Sequence, residues 1–410
     1  MDFNESPEET AFRAAAQAWL AANAPAHEIP EGVMLDDTEE VVLGRAWQRA
    51  VYDGGYAGIT LPKALGGRGG TGIEALTFAE EEARYNLPKG PYIGIGLGMA
   101  LPVIGKHGTP EQIAAYCEKT LKGELTWCQL FSEPSAGSDL ANVRTKAVRD
   151  PGSGSGTGSD DWIVNGQKVW SSWAHRSDMG ILVVRTDPTV PKHKGLTFFV
   201  IDMKTPGIDI RPIRQISGAS DFNETFFSDV RIPDANRIGA VGEGWACCMT
   251  VLMGERLNQG GERGGIENLI AYAEATPRGT GTALDSGSVR LALAQALAEE
   301  QAGKSFQARL RTMVSRGENP GALAAMVKLA FGRRFQQTSG LALELRGMDA
   351  LAPAAGDAQT REIQHDYIWS TVIRIAGGAD EVLKNQIAER VLGMPGEVRM
   401  DKNVPFEQLK

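Results

Sequence analysis

Glu255 raises the first chemical question in this sequence. It follows an apolar run and a glycine in the stretch VLMGERLNQGG (251–261), directly before Arg256. A carboxylate in an apolar pocket has a raised pKa, which suits it to act as a general base. Glu-Arg pairs also occur on solvated helix faces, and Glu262–Arg263 is a second such pair nearby. Both interpretations stay open for this stretch taken alone.

A turn rich in small and hydroxyl residues is a second candidate site. The stretch CQLFSEPSAGSD (128–139) ends a strand-like run, and Ser132, Gly137 and Ser138 expose hydroxyl and backbone N–H groups there. These groups suit the polar edge of a planar ring or a phosphate. A tight turn stabilised by its own serines is the alternative interpretation.

A third candidate combines aromatic and hydroxyl side chains. The stretch WIVNGQKVWSSWAH (162–175) predicts a hairpin at Asn165–Gly166, followed by Trp170 and two serines. The indole has a large apolar face that can pack on a ring system, and the serines can bond its heteroatoms. The alternative is core packing in a β-domain, which is the interpretation we favour for Trp162.

The elements that position these residues fall into three segments. Residues 1–125 predict helices, beginning with a capping box at Ser6-Pro7-Glu8-Glu9, and residues 126–238 predict short strands joined by turns. Residues 239–410 predict long helices in an antiparallel bundle. Further helices are predicted at 39–53, 73–85, 110–122, 245–259, 264–275, 288–315, 321–346 and 361–392, the last broken at Gly377–Gly378. Strands are predicted at 162–170, 179–187, 196–203, 208–216 and 225–233, with a flexible loop at 151–161.

Composition excludes several classes of protein. The chain has 410 residues and a net charge of −9, so it lacks the basic excess that nucleic-acid binding requires. No apolar run approaches the length of a membrane span, and no secretory leader is recognisable, so a cytoplasmic enzyme is expected. The four cysteines have no metal-ligand spacing, and no metal site is expected. Gly67–Gly72 matches G-x-G-x-x-G, but no hydrophobic strand precedes it, which favours a plain glycine-rich turn.

Four motifs in order resemble those of the acyl-CoA dehydrogenases. They are LPKALGGRGG, SEPSAGSD, VNGQKVWSS and FSDVRIPDANRIG, and the resemblance runs over nearly the whole chain. It implies a multidomain fold with an N-terminal α-helical domain, a middle antiparallel β-barrel and a C-terminal four-helix bundle. It also implies FAD as the cofactor, an acyl-CoA as the substrate and an electron-transfer flavoprotein as the electron acceptor.

The resemblance assigns roles to individual residues. Ser132 would bond the pyrimidine edge of the flavin, Trp170 would cover the ring, and Ser172 would stand where a threonine bonds flavin N5. The full set implied for the cofactor is Phe131, Ser132, Gly137, Ser138, Trp170, Ser171, Ser172, Arg278, Glu344, Gly347, Gly378 and Glu381. Ser138 and Arg256 are implied for the substrate.

The implied reaction needs a base for the α-proton while the β-hydride passes to flavin N5. Many members of the family use a glutamate near the C-terminus, where this chain has Gly377. Asp380 and Glu381 follow, and we interpret them as helix-start acids. A minority of the family takes the base from a Glu-Arg pair that matches Glu255 here. Glu255 is therefore the predicted base, and the backbone N–H of Gly377 is predicted to bind the thioester oxygen.

The part of the family pattern that reaches across a subunit interface is altered. Arg278 lacks the accompanying phenylalanine, and Glu344 stands where glutamine is usual. We expect a homo- or hetero-oligomer, arranged as a dimer of dimers. The alternatives are a non-catalytic subunit that completes a partner's site, and a flavin-dependent monooxygenase on the same scaffold. Acyl length, pathway and the choice between one and two kinds of subunit are not evident from the residues.

Overall fold

The computed structural model describes residues 5–30, 33, 35–88, 90–150, 161–258, 265–315, 318, 321–354 and 356–409. Nearly all of the predicted flexible loop and the Glu262–Arg263 pair lie outside these residues. The chain forms two compact units. The sheet unit comprises Leu35–Gly70, Pro88–Asn258 and Glu397–Lys410, and the helical unit comprises Met1–Met34, Thr71–Leu87 and Gln259–Gly396. The predicted boundaries at 125/126 and 238/239 stay predictions.

The sheet unit contains one eight-stranded sheet, with strand order β6-β7-β3-β2-β4-β5-β8 and with β1 paired to β4. Its strands are β1 (Trp127–Leu130), β2 (Lys146–Arg149), β3 (Trp162–Lys168), β4 (Met179–Arg185), β5 (Leu196–Asp202), β6 (Ile208–Ile213), β7 (Phe222–Ile232) and β8 (Arg237–Ile238). The five predicted strands are confirmed. Most strand pairs are antiparallel, as expected, whereas β1 and β2 both pair with β4 in parallel. Hydrophobic alternation marks a strand but does not encode the direction of its neighbour.

The hairpin predicted at Asn165–Gly166 is wrong. β3 runs straight through these residues, and its register against β7 shifts between Val164 and Gly166. The Asn165 side-chain amide donates a hydrogen bond to the Asp229 carboxylate at 2.9 Å, and the Asn165 side-chain oxygen accepts one from the Asp229 N–H at 2.9 Å. Asp229 itself has a φ of +49°. A Cβ at Gly166 would lie 2.7 Å from the Thr145 Cα. The glycine therefore serves a β-bulge and a close approach between strands.

Both units contain helices. Those of the sheet unit are α2 (Asp37–Asp53), α4 (Pro91–Ile95), α5 (Leu101–His107), α6 (Pro110–Leu121) and α7 (Gly244–Asn258), with a π-helical segment at Gly96–Ala100. Those of the helical unit are α1 (Pro7–Asn23), α3 (Gly72–Glu82), α8 (Gly265–Ala275), α9 (Gly287–Ser315), α10 (Ala324–Arg346), α11 (Ala358–Ile373) and α12 (Asp380–Arg390). The predicted helices are confirmed, including the break before α12. None of the helices that the structure describes is long and apolar enough to cross a bilayer.

Local sequence signals explain where the helices begin. Ser6 accepts a hydrogen bond from the Glu9 N–H at 3.2 Å, and the Glu9 carboxylate accepts one from the Ser6 N–H at 2.8 Å. This is the predicted capping box. The glycine-rich stretch 66–70 is a turn between a short 3₁₀ segment and the Thr71 N-cap of α3, and no strand leads into it. The preference for a plain turn over a nucleotide loop is confirmed.

Each unit has its own apolar core. In the sheet unit, β1, β3, β4, β5 and β7 share a cluster that contains Trp162, whose ring lies 5.6 Å from that of Phe199. In the helical unit, α8 and α9 bury Ile266, Ala273 and Leu293 together. α10 packs against α8, α9 and α11. These cores hold the segments that carry the candidate residues.

Candidate functional site

The candidate residues divide between the two units. The sheet unit carries Phe131, Ser132, Gly137, Ser138, Trp170, Ser171, Ser172, Glu255 and Arg256. The helical unit carries Arg278, Glu344, Gly347, Gly377, Gly378 and Glu381. Each group is described within its own unit.

The turn after β1 is fastened to the end of β3. The Lys168 ammonium donates to the carbonyl oxygen of Phe131 at 3.0 Å, and the Val169 N–H donates to the carbonyl oxygen of Ser132 at 2.9 Å. Phe131 is buried edge-on against Phe198, with ring centroids 5.9 Å apart. The structure thus brings together the two stretches that the sequence singled out separately.

A buried ion pair between Glu133 and Lys168 fixes this junction. Lys168 Nζ lies 2.8 Å from Glu133 Oε1, and both side chains are almost completely buried. The same carboxylate accepts hydrogen bonds from the N–H groups of Arg144 at 2.6 Å and Thr145 at 2.9 Å. Burial raises the pKa of the Glu133 carboxyl, but the Lys168 ammonium and these donors outweigh it, so the net pKa lies below its usual value. The pair therefore joins the turn after β1 to the end of β3.

The far end of the turn is held by a second lysine. Lys192 Nζ lies within 2.9 Å of both Asp139 carboxylate oxygens and also pairs with Asp401 from the C-terminal segment. Gly137 and Ser138, between the two anchors, are exposed. A Cβ at Gly137 would meet nothing within 4 Å. The hydroxyl and N–H groups of the turn are therefore presented at the surface of the sheet unit by anchored flanks.

Trp170 combines strain with exposure. Its φ is +59°, a left-handed conformation that is uncommon for a bulky residue. Its side chain is 60 % exposed, and its ring meets only the edge of Phe222, at 6.0 Å, among the ring contacts that the structure describes. Strained backbone that displays an apolar ring is typical of a functional site and not of core packing.

Ser171 carries a buried hydroxyl with no partner. Its backbone N–H and C=O pair with the backbone of Asn223, at 3.1 and 3.2 Å, but its Oγ has no hydrogen bond to any described residue. A buried hydroxyl without a partner is costly unless a ligand or water completes it. Ser172 follows and is half-buried. This strand end therefore has unused hydrogen-bonding capacity beside an exposed indole.

Glu255 lies in the last turns of α7, which is anchored along its length. A Cβ at Gly244 would lie 2.7 Å from the backbone of β5, and one at Gly254 would collide with the Gly98 carbonyl oxygen in the π-helical segment. Between them, Thr250 Oγ1 bonds His107 Nε2 at 2.9 Å. Glu255 is partly buried. The backbone of Arg256 belongs to α7, but its side chain lies outside the described residues.

The turn that precedes α12 contains two successive glycines with positive φ. Gly377 and Gly378 have φ of +66° and +103°, and in the part of the chain that the structure describes nothing accepts a hydrogen bond from their N–H groups. Successive N–H groups in such a conformation form an anion-binding concavity. Asp380 lies in the first turn of α12, as predicted for a helix-start acid, and there it is buried and paired with Arg374.

The remaining candidates of the helical unit are exposed. Arg278 lies in a two-residue hairpin formed by β9 (Pro277–Arg278) and β10 (Gly281–Thr282). Glu344 lies on the last turn of α10, and Gly347, at φ +61°, ends that helix. Glu381 lies in the first turn of α12. The described residues of this unit do not bring these positions together into a pocket.

No metal centre or reactive thiol is present among the described residues. No group of three or more His, Cys, Asp or Glu side chains could hold an ion there. All four cysteines are buried and free, and burial raises the pKa of the thiols, to about 11 for Cys117 and about 12 for Cys128. Thiolate chemistry is therefore excluded at these positions.

A unit built on an eight-stranded sheet and a second, helical unit carry the candidate residues, and comparison with known proteins identifies the family. Models of the acyl-CoA dehydrogenase N-terminal, middle and C-terminal domains match residues 6–124, 128–230 and 242–392. The chain belongs to the acyl-CoA dehydrogenase family, a family of flavoprotein oxidoreductases.

Particular relatives share much of the chain. It is 34% identical over 401 residues to acyl-CoA dehydrogenase IpdE1 of Mycolicibacterium smegmatis, covering 95% of this chain and 98% of that protein. It is 39% identical over 344 residues to acyl-CoA dehydrogenase FadE34 of Mycobacterium tuberculosis, covering 80% of this chain but only 43% of that protein. The solved ChsE4-ChsE5 complex from Mycobacterium tuberculosis superposes with a TM-score of 0.81 at 27% identity, covering 97% and 100% of the chains.

Sequence reasoning missed the residues that hold the site in place. Glu133 and Lys168 both lie inside the quoted motifs, and a charged residue within an apolar strand pattern was the available signal. Lys328 on α10 was missed as well. Its ammonium donates to the Gly378 carbonyl oxygen at 2.8 Å, and no local pattern in the sequence relates these two positions.

Proposed function

We propose that this chain catalyses FAD-dependent α,β-dehydrogenation of an acyl-CoA thioester to the trans-2-enoyl-CoA, with Glu255 as the base. The proposal rests on position 377, which lacks the acidic side chain that many members of the family have there but keeps its backbone N–H donor. Position 377 has no side chain, yet its N–H has no acceptor among the described residues. The base must then come from elsewhere, and Glu255 lies on the firmly anchored α7.

Glu255 is suited to take the α-proton. It is partly buried, so a bound acyl chain would remove further water from around its carboxylate. Loss of water disfavours the charged form and brings the carboxyl pKa closer to the pH of use, where a general base works best. The close packing of Gly254 on the π-helical segment limits movement of the residue next to it.

The N–H of Gly377 is proposed to polarise the thioester carbonyl. The α C–H of a thioester is a very weak acid, and a donor placed at the carbonyl oxygen stabilises the charge that develops there. One such donor contributes about 3–4 kcal/mol to the transition state. The N–H of Gly378 can serve as a second donor from the same turn.

The sheet unit has features that fit a flavin. The unpartnered hydroxyl of Ser171 and the half-buried Ser172 can bond polar ring atoms, and the exposed indole of Trp170 can cover an aromatic face. Ser132, Gly137 and Ser138 present hydroxyl and N–H groups on the adjoining turn. When bound, FAD supplies the acceptor for the β-hydride. The residues present therefore match the cofactor that is general in the family.

The proposed partners follow from the family and from its solved assemblies. An electron-transfer flavoprotein is the proposed electron acceptor, and the proposed assembly is a dimer of dimers with one or two kinds of chain. The relative of 27% identity was solved as a complex of ChsE4 with ChsE5. Arg278 and Glu344 are exposed on the helical unit, as residues that meet a neighbouring chain's cofactor would have to be.

Anaerobic titration of the purified holoprotein with a panel of acyl-CoAs tests this function. A substrate should bleach the flavin absorption band, with one enoyl-CoA formed for each flavin reduced. A panel of short, branched and polycyclic acyl groups would define the acyl class. If none of these reduces the flavin, the proposal is contradicted.

A subunit role is the second candidate, and Glu344 favours it. An exposed carboxylate where the family pattern has an amide is unfavourable beside a pyrophosphate, because two negative groups repel. The chain would then complete the site of a different subunit. A purified chain that is colourless, and a yellow complex only with a second acyl-CoA dehydrogenase chain, would support this candidate.

A further inference from the structure

We propose that Lys328 is a positioning residue that holds the Gly377–Gly378 turn in the conformation whose free N–H groups bind the substrate's thioester oxygen. The inference rests on the proposed function and concerns the same turn. Lys328 is only 3 % exposed, an unusual environment for a lysine. No role has been given to this side chain by the chemistry described so far.

Two described contacts of Lys328 lie at the turn and at the residue that follows it. Its Nζ donates to the Gly378 carbonyl oxygen at 2.8 Å and lies 3.5 Å from the Asp380 carboxylate. Asp380 is also paired with Arg374, whose guanidinium donates to Gln336 Oε1 at 2.6 Å. The two ends of the turn are therefore connected to α10 through one network of hydrogen bonds and ion pairs.

A turn of two glycines needs such an external constraint. Glycine has the widest choice of backbone conformations, so two in succession lose the most entropy when they are ordered. Gly377 and Gly378 both have positive φ, and their N–H groups receive no stabilisation from an acceptor in the described part of the chain. A charged donor on the Gly378 carbonyl fixes the peptide group between Gly378 and Ala379, and Arg374 at the start of the turn is paired with Asp380 just after it, so the turn is anchored on both sides. The N–H groups are then aimed before substrate arrives, which is what oxyanion stabilisation requires.

The test compares Lys328→Met with Lys384→Met, a control at an exposed lysine on α12. The probe is a ¹³C-carbonyl CoA thioester in which sulfur replaces the β-carbon, so that it binds to the holoprotein but cannot be dehydrogenated. Infrared difference spectra report hydrogen bonding as a lowered carbonyl stretching frequency. We expect a clear shift in the unmodified protein and in Lys384→Met, and less than half of it in Lys328→Met. With a true substrate, kcat should fall about tenfold to a hundredfold in Lys328→Met, with a smaller change in KM.

A double variant separates positioning from charge balance. Lys328→Met/Asp380→Asn removes the Lys328–Asp380 pair and still lacks the donor to Gly378, while the asparagine oxygen can still accept a hydrogen bond from Arg374. A low kcat and a reduced carbonyl shift in the double variant support the proposal. This result is decisive even when the single variant does not fold. Recovery of both to the unmodified values overturns it. A full shift in Lys328→Met overturns the inference alone, whereas absence of the shift in the unmodified protein overturns the proposed function and this inference with it.

Discussion

Removing the Lys168 ammonium should destabilise the sheet unit and loosen the turn that presents Ser132 and Ser138. In Lys168→Met the Glu133 carboxylate would keep two backbone donors but lose its counter-ion at 2.8 Å, in an environment where both side chains are buried. Removing one partner of a buried pair costs about 3–5 kcal/mol, because the other charge is left uncompensated. The Phe131 carbonyl would also lose its donor.

The control for this change is the exposed pair Arg211–Asp209, whose side chains are 64 % and 54 % exposed. Arg211→Met should change stability by less than about 1 kcal/mol, since exposed ion pairs contribute little. Urea unfolding followed by tryptophan fluorescence measures both variants. Glu133→Gln/Lys168→Met should recover part of the loss, because neither charge remains.

The same variants should be assayed for flavin retention after gel filtration. Lys168→Met should release FAD at lower urea concentrations than the unmodified protein, because the turn is no longer tied to β3. A loss of less than 1 kcal/mol in Lys168→Met, equal to that in Arg211→Met, would refute the view that the pair fixes the site.

Three further predictions follow from single contacts. Gly254→Ala should lower stability by about 1–3 kcal/mol in thermal unfolding, because the added Cβ would collide with the Gly98 carbonyl oxygen. Gly94→Ala is the control and should not lower stability, because a Cβ at that position would meet nothing within 4 Å. Trp170→Ala should change stability by less than about 0.5 kcal/mol but weaken FAD binding in ultrafiltration, because the indole is exposed. Stability should fall as pH drops below 4.5 towards the lowered pKa of Glu133, because the unfolded carboxyl takes up its proton first. Glu133→Gln should flatten that acid limb of the stability profile.

Elements and their order could be predicted from the sequence because their signals are local. The capping box at Ser6, the helix break at Gly377 and the strand-forming runs all act over a few residues. Asn165–Gly166 shows the limit of such signals. It is a strong hairpin sequence, but its conformation is set by Asp229 on a strand more than sixty residues away. The parallel pairing of β1 and β2 with β4 is equally non-local.

The residues of the candidate site also differ in whether a local sequence signal identifies them. Residues that we propose to meet a ligand, such as Ser171 and Trp170, stand out in the sequence because they form motifs. The residues that support them do not, since Glu133, Lys168 and Lys328 act through contacts between distant segments. Burial decides their role, and burial of a charged side chain is visible only in the folded chain.

Glu255→Gln tests the proposed removal of the α-proton by Glu255. The amide keeps the shape of the side chain but cannot accept the proton. The variant should retain FAD and bind acyl-CoA, yet the flavin band should persist under anaerobic substrate, while Glu274→Gln, at an exposed glutamate on α8, should bleach normally. Full bleaching of the Glu255→Gln holoprotein at the unmodified rate would contradict the account.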